Sequence, residues 1–171
     1  IDQEVCQIDP IYVNDLINYS KILHQRHELF KTMDAQPERK DELTETLDIW
    51  DLQLVNFGTK IIERRRSFIE ELNRIIFDIH HEITDGREEL KLVYEPSVSE
   101  EDFYEELLKN REKDRVYKST SIGPHRDDFS FYEKDKNLKI YGSQGQQRTC
   151  VISLKLAEIK MIDSVKKETP I

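Results

Sequence analysis

The residues Gly142-Ser143-Gln144-Gly145-Gln146-Gln147-Arg148-Thr149 stand directly before an apolar-periodic run, Cys150 to Ile162, that reads as a helix. Their types and spacing suit anion chemistry at a helix start. A serine at the N-cap accepts from an early backbone N–H, and a glutamine three residues on reaches back to complete a capping box. The free first-turn amides and the helix dipole then favour a negative group, and Gly145 lets it come close, which together make a seat for a phosphate. Arg148 follows within the first turn, placed either to approach that phosphate or to pair with Asp127 or Asp128.

A second group, His125, Arg126, Asp127 and Asp128, combines imidazole with carboxylates, the chemistry of a metal site or of an acid and base. Only two of these side chains point the same way on a strand, so the expectation is a packed turn entering a strand, with no metal bound. A third group is basic: Lys60, Arg64, Arg65 and Arg66. On a helix Lys60 and Arg64 share a face while the next two diverge, and Glu70 and Glu71 lie close by. A solvated face is expected, with a DNA contact through Lys60, Arg64 and Arg65 as the sharper alternative. His80 and His81 are adjacent, hence face apart, and are read as surface residues.

Long helices must position these groups. Tyr12, Leu16, Tyr19, Leu23, Phe30 and Met33 form a heptad seam in which Arg26 intrudes. A polar break at Asp34-Ala35-Gln36-Pro37 precedes a second seam, Leu43, Leu47, Trp50, Leu54, Phe57 and Ile61, which resumes after a stutter as Leu72, Ile76, Ile79 and Ile83. The short break predicts an antiparallel pair. Tyr12, Tyr19 and Trp50 then belong to its core rather than to base-stacking platforms. A second helix from about Glu38 to the stop at Asp85-Gly86 would span ~70 Å against ~35 Å for the first, so its far half needs another partner. That partner is expected to include a short helix from about Glu100 to Arg115. Leu90, Leu92 and Tyr94 alternate as a strand ended by Pro96, and Phe129 and Phe131, a Glu133 to Asn137 turn and Leu138 to Tyr141 predict a hairpin. An apolar strand is expected to begin at Thr169-Pro170-Ile171.

The fold class is therefore mainly α with a small β element: an antiparallel coiled-coil arm over residues 1–86, joining strands and a short helix over 87–141, and the capped helix over 142–171. Charged residues make up 36% of the 171 and the net charge is −9, which argues against any global nucleic-acid footprint. Cys6 and Cys150 are too few for a disulfide framework, and no apolar run is long enough to cross a membrane. A soluble, cytoplasmic protein is expected.

Ser143, Gly145 and Gln146 match the Ser-Gly-Gly-Gln signature of ABC-type ATPases, from which Gln144 departs. With Ser121 to Phe129 upstream and Ser153 to Ile159 downstream, the chain resembles the RecF family of bacterial recombination and gap-repair ATPases. The resemblance implies that Ser143, Gln144, Gly145, Gln146, Gln147 and Arg148 contact ATP held by an opposite subunit. It implies also that His125, Arg126, Asp127 and Asp128 border that nucleotide site. ATP and Mg2+ would be cofactors of the intact protein, with none bound by this segment alone. The implied partners are double-stranded or gapped DNA, a second copy in an ATP-dependent homodimer, RecR and RecO, with no membrane. The implied roles are DNA replication, repair, recombination and the SOS response.

No GxxxxGKS or GxxxxGKT string occurs in the sequence. In the family that loop precedes the present start and the acidic Walker B strand follows Pro170-Ile171, so this segment is expected to be inactive alone. Two rival readings fit the same residues. One is a coiled-coil interaction module with no nucleotide role. The other is a metal-dependent phosphoesterase centred on His125 and the paired aspartates.

Overall fold

The computed structural model describes residues 1–168; the strand expected from Thr169 lies outside them. In order come α1 (Asp2–Ile8), α2 (Pro10–Ala35), α3 (Lys40–Ile83), β1 (Leu90–Glu95), α4 (Phe103–Lys109), α5 (Arg111–Tyr117), β2 (Asp128–Glu133), β3 (Lys136–Asn137), α6 (Leu138–Tyr141) and α7 (Gln144–Glu168). Short 3-10 turns occupy Pro37–Arg39 and Pro124–Arg126. Among the described residues the protein is mainly helical with one small antiparallel sheet, as the periodicities required. It divides into a helical unit, Ile11–Glu63 with Pro96–Asp127, and a sheet unit, Ile1–Pro10 with Arg64–Glu95 and Asp128 onward.

In the helical unit, α2 has 26 residues and α3 has 44, of which those up to Glu63 belong here. Pro37 opens the connecting turn, and Leu29, Phe30 and Met33 pack on Leu43, Leu47 and the half-buried Trp50 just beyond it, so the chain folds back on itself. Burying each of these side chains contributes about 1.5–3 kcal/mol. Tyr12, Tyr19, Leu54 and Ile61 are buried as the seams require, but Leu16 and Leu23 are only half-buried, and Ile22 lies deeper than its neighbour Leu23.

Arg26, read from the sequence as an intruder, is fully buried. It donates to Asp51 at 2.7 Å and to Asp114 and Thr120 at 2.8 Å, while its guanidinium carbon lies 4.7 Å from the centre of the Phe30 ring. Arg111 completes the cluster, bonding Asp51 at 2.7 Å and Asp48 at 2.6 Å. These bonds correct two expectations. The segment after Glu100 is two short helices that meet at Asn110, whose side chain donates to the Glu106 carbonyl at 2.8 Å. It also packs with the near half of α3, in the helical unit, rather than with the far half, because Arg111 and Asp114 are drawn to Asp48, Asp51 and Arg26.

In the sheet unit, β1, β2 and β3 form an antiparallel sheet in that order, with Leu92 opposite Phe131 and Tyr94 opposite Phe129. The Tyr94 and Phe129 rings stack at 5.1 Å. Asn73 of α3 covers the outer edge of β1, donating to the Leu92 carbonyl and accepting from its N–H, both at 2.8 Å. A side-chain amide thus stands where another strand would bond. Lys134 takes the left-handed conformation the glycine-free hairpin needs, with φ 53°. The second arm is shorter than expected. It pairs only through Lys136 and Asn137, because the Asn137 side chain then caps Leu138–Tyr141 as a helical turn, accepting from Lys139 N–H at 2.9 Å.

The α3 helix stops where expected. Gly86 N–H bonds the His81 carbonyl at 2.8 Å and Asp85 N–H bonds that of Glu82 at 3.4 Å, a Schellman pair with Asp85 at φ 51° and Gly86 at φ 72°. On α7, Cys150, Ser153, Ala157 and Met161 face inward, while Val151, Ile152, Leu156 and Ile159 are exposed.

Candidate functional site

The head of α7 in the sheet unit carries the capping box that the sequence predicts. Gln146 N–H donates to Ser143 Oγ at 3.2 Å, and Ser143 N–H donates to Gln146 Oε1 at 3.0 Å. Gln147 N–H makes the first helical bond, to the Ser143 carbonyl. The N–H groups of Gln144 and Gly145 have no hydrogen-bond partner among the described residues and stand at the positive end of a 25-residue helix. Gln147 turns back instead, donating to the Leu138 carbonyl at 3.0 Å and so fixing α6 against the start of α7.

Gly145 is not required by this chain. A Cβ there would meet only Ser143 Oγ, at 3.8 Å. Gly123 is the contrast: it sits at φ 113°, and a Cβ would come within 2.5 Å of the Tyr19 hydroxyl oxygen. Arg148 is exposed and makes no ion pair among the described residues; with Gln144, Gln147, Val151 and Ile152 it lines an open groove of about 450 Å³. Asp128, one partner considered for it, pairs with Lys139 at 2.7 Å, which together with the Phe129 N–H holds its carboxyl below the usual range.

Gln146 is held from behind by residues the sequence reading missed. Its Nε2 donates to Glu88 Oε1 at 3.1 Å and to Glu133 Oε2 at 3.2 Å. Glu88 Oε2 is 3.3 Å from His80 Nε2, and His80 Nδ1 is 2.9 Å from Ser153 Oγ. His80 is only 1% exposed, which corrects its reading as a surface residue, whereas His81 is exposed and stacks on Phe77. Beyond Leu72 the buried stripe advances in steps of four, through Ile76, His80 and Thr84, so position 80 faces inward and Ile83 outward.

His125, Arg126 and Asp127 form a packed turn in the helical unit, and Asp128 starts β2 in the sheet unit. His125 Nε2–H donates to the Thr120 carbonyl at 2.9 Å, so its Nδ1 accepts from the Tyr19 hydroxyl at 2.7 Å. The ring is neutral, and burial is the main cause that holds its pKa below the usual histidine value. Arg126 donates to the same carbonyl at 3.1 Å, and Asp127 accepts from Ser97 N–H at 2.8 Å. No three histidine, cysteine or acidic side chains converge on a cation position among the described residues.

The basic run diverges as helix geometry demands. Lys60 is exposed, with its ammonium 5.3 Å from the centre of the Phe57 ring. Arg64 pairs with Asp9 at 2.8 Å, and Arg65, nearly buried, binds both oxygens of Asp2 at 3.0 and 2.7 Å. These two arginines hold the N-terminal segment to α3. Cys150 is buried and its thiol is pushed up to about 11, mainly by burial. No helix of the described residues is long and apolar enough to cross a membrane.

No protein-family model matches the chain. It is 48% identical over 171 residues to the DNA replication and repair protein RecF of Lachnospira eligens, covering all of this chain and 47% of that protein. It is 45% identical over 171 residues to the RecF of Lachnoclostridium phytofermentans, covering 46% of it. The chain thus spans about half the length of the curated relatives it matches. Among solved structures, one described as the recombination mediator protein RecF with ATP in the RecFOR pathway superposes with a TM-score of 0.87 at 30% identity, over 99% of this chain and 47% of that one. A second, described with ATPrS, gives 0.82 at 32% identity over 95% and 45%.

Proposed function

We propose that this chain, homologous over its whole length to part of RecF, supplies the signature half of a composite nucleotide site in a DNA repair and recombination mediator. The Gln144 and Gly145 amides, the Ser143 hydroxyl and Arg148 meet the γ-phosphate of an ATP held by a second copy. The observation that carries the reading is Gly145. Nothing in the chain needs a glycine there, and glycine weakens a helix, so the space it leaves open is for a group that comes from outside. The two amides beside it and the cation one turn on supply the complementary charge.

In the intact protein, bound ATP with Mg2+ supplies the bridging phosphate; this chain's residues bind and orient it. Ser143 Oγ, already an acceptor from Gln146 N–H, has its hydroxyl proton left to donate outward. Closing two copies around ATP makes a clamp that grips duplex or gapped DNA through phosphate contacts, without base readout. Loading of recombinase with RecO and RecR follows from that clamp. The similar solved structures are described as RecF with ATP or ATPrS in the RecFOR pathway, which supports the reading.

The test is Ser143→Arg in a full-length RecF that carries this segment. A long cation in place of the cap fills the phosphate seat. Sedimentation with and without a slowly hydrolysed ATP analogue is expected to show dimerisation lost by at least tenfold, with the circular dichroism spectrum unchanged. Dimerisation equal to the unsubstituted protein would sink the assignment.

A further inference from the structure

A capping-box glutamine needs only its carbonyl oxygen, directed at the N-cap N–H; its NH2 group is free to face water. Here that group faces inward. Both amide protons of Gln146 point at carboxylates, Glu88 Oε1 from the segment after α3 and Glu133 Oε2 at the end of β2, while Oε1 takes the Ser143 N–H. Turning the amide over would set its oxygen against two carboxylates and its NH2 against an N–H, so a single orientation is possible.

Glu88 is itself fixed. The Schellman stop at Asp85 and Gly86 returns the chain toward α3, and His80 then holds the far oxygen, Oε2, at 3.3 Å. Ser153 Oγ lies 2.9 Å from His80 Nδ1 and also 2.9 Å from the Thr149 carbonyl. The path therefore leaves the first turn of α7 at Gln146, crosses Glu88 and His80, and returns to α7 at Ser153. His80 and Ser153 are essentially inaccessible to solvent, which keeps water from competing for the bond between them, while Glu88 and Gln146 are half-buried.

We propose that Glu88, anchored by His80, is a positioning residue for the nucleotide contact: it locks the Gln146 amide, and through it the Ser143 cap, in the geometry that presents the Gln144 and Gly145 amides to a phosphate. This rests on the signature reading above. Neither residue touches the nucleotide. Their effect is to remove the alternative rotamers of Gln146 before ATP arrives, which lowers the ordering cost of dimer closure.

The experiment uses a full-length RecF that carries this segment, with Glu88→Ala, Glu88→Gln and His80→Gln beside Gln146→Ala. Analogue-dependent dimerisation is measured by sedimentation and the fold by thermal unfolding. In parallel, the side-chain amide resonances of Gln146 are followed by NMR in the 171-residue chain. Glu88→Ala is expected to weaken dimerisation about tenfold, the equivalent of one charge-assisted hydrogen bond. Glu88→Gln should restore most of it, because its carbonyl accepts the same proton, while the Gln146 resonances move in the alanine variant and return in the glutamine variant. If Glu88→Ala loses its fold, His80→Gln is read in its place, with about a threefold loss expected at one remove.

Unchanged dimerisation in Glu88→Ala or, in that case, His80→Gln, beside a loss in Gln146→Ala, overturns the positioning role and leaves the signature reading standing. Unchanged dimerisation in Gln146→Ala and Ser143→Arg alike removes the reading itself. Gln146 resonances that ignore Glu88→Ala overturn the locking in either event.

Discussion

At the head of α7, Ser143 and Gln146 cap each other across three residues in an open first turn, whereas Arg26 lies fully buried and reaches Asp51, Asp114 and Thr120 across 25, 88 and 94 positions of sequence. Both clusters are polar and both are hydrogen-bonded, but they differ in what water does to them. The two bonds between Ser143 and Gln146 are exposed and can be exchanged for solvent at small cost. The Arg26 cluster cannot, because two carboxylates and a guanidinium with no exposed side-chain surface depend on one another and on Thr120 and Arg111 rather than on water. A group left with free donors at the surface is available to a ligand; a group whose charges are matched indoors fixes the packing of α2, α3 and α5.

The largest effect expected from breaking this contrast is therefore in the helical unit. Arg26→Met keeps the length of the side chain and removes its charge, leaving Asp114 buried without its ion partner and Asp51 with Arg111 alone. The expected loss is about 3–5 kcal/mol of unfolding free energy, measured by urea titration. A loss under about 1 kcal/mol would mean that the cluster is as replaceable as the cap.

That difference also explains what was legible in the sequence. The cap depends on a spacing of three residues, so Ser143 and Gln146 announce it, and the α3 stop at Asp85-Gly86 is local in the same way. The seams were legible because burial repeats with the helix period. Arg26 showed only that a charge stood on a buried stripe; its partners lie in α3, α5 and the loop after α5, and no local rule joins them. The trace it left was physical rather than patterned, since an ionisable residue on a seam must find a counter-charge and Asp51 stands next to Trp50 of the facing seam. Glu88 and His80 escaped for a like reason. The first is placed by a reversal of the chain, and the second by a buried stripe that drifts around α3 in steps of four beyond Leu72.

Acid should act on the two regions unequally. His27 Nε2 accepts from Thr120 N–H at 2.9 Å, and His125 Nδ1 accepts from Tyr19, so both rings must be neutral in the helical unit. Burial lowers the pKa of each, reinforced by the Arg26 charge in the case of His27. A lowered histidine pKa means that the unfolded chain binds the proton first, so stability is complete above the usual histidine value of about 6.5 and falls as the pH drops below it. Hydrogen exchange between pH 7.5 and 5 should show α2 and residues 119–126 losing protection while the first turn of α7 is unchanged. In His27→Gln with His125→Gln the pH dependence should flatten; an equal loss of protection in both regions would erase the distinction.

The smallest expected effect is the one that separates stability from function most sharply. Gly145 lies at the second position of α7 with room for a methyl group, so Gly145→Ala should stabilise the sheet unit by about 0.5 kcal/mol, because alanine loses less backbone freedom on entering a helix. If the site at the head of α7 were only a capped helix, that would be the whole result. If the open space is where a phosphate arrives, the same methyl group stands in the way, and analogue-dependent dimerisation falls while the unfolding midpoint rises. An intramolecular contact cannot produce that pair of signs, since any clash inside the chain would lower stability as well. Alanine at 145 that raises the midpoint and leaves dimerisation untouched would return Ser143 and Gln146 to the role Arg26 has, holding the fold and nothing more.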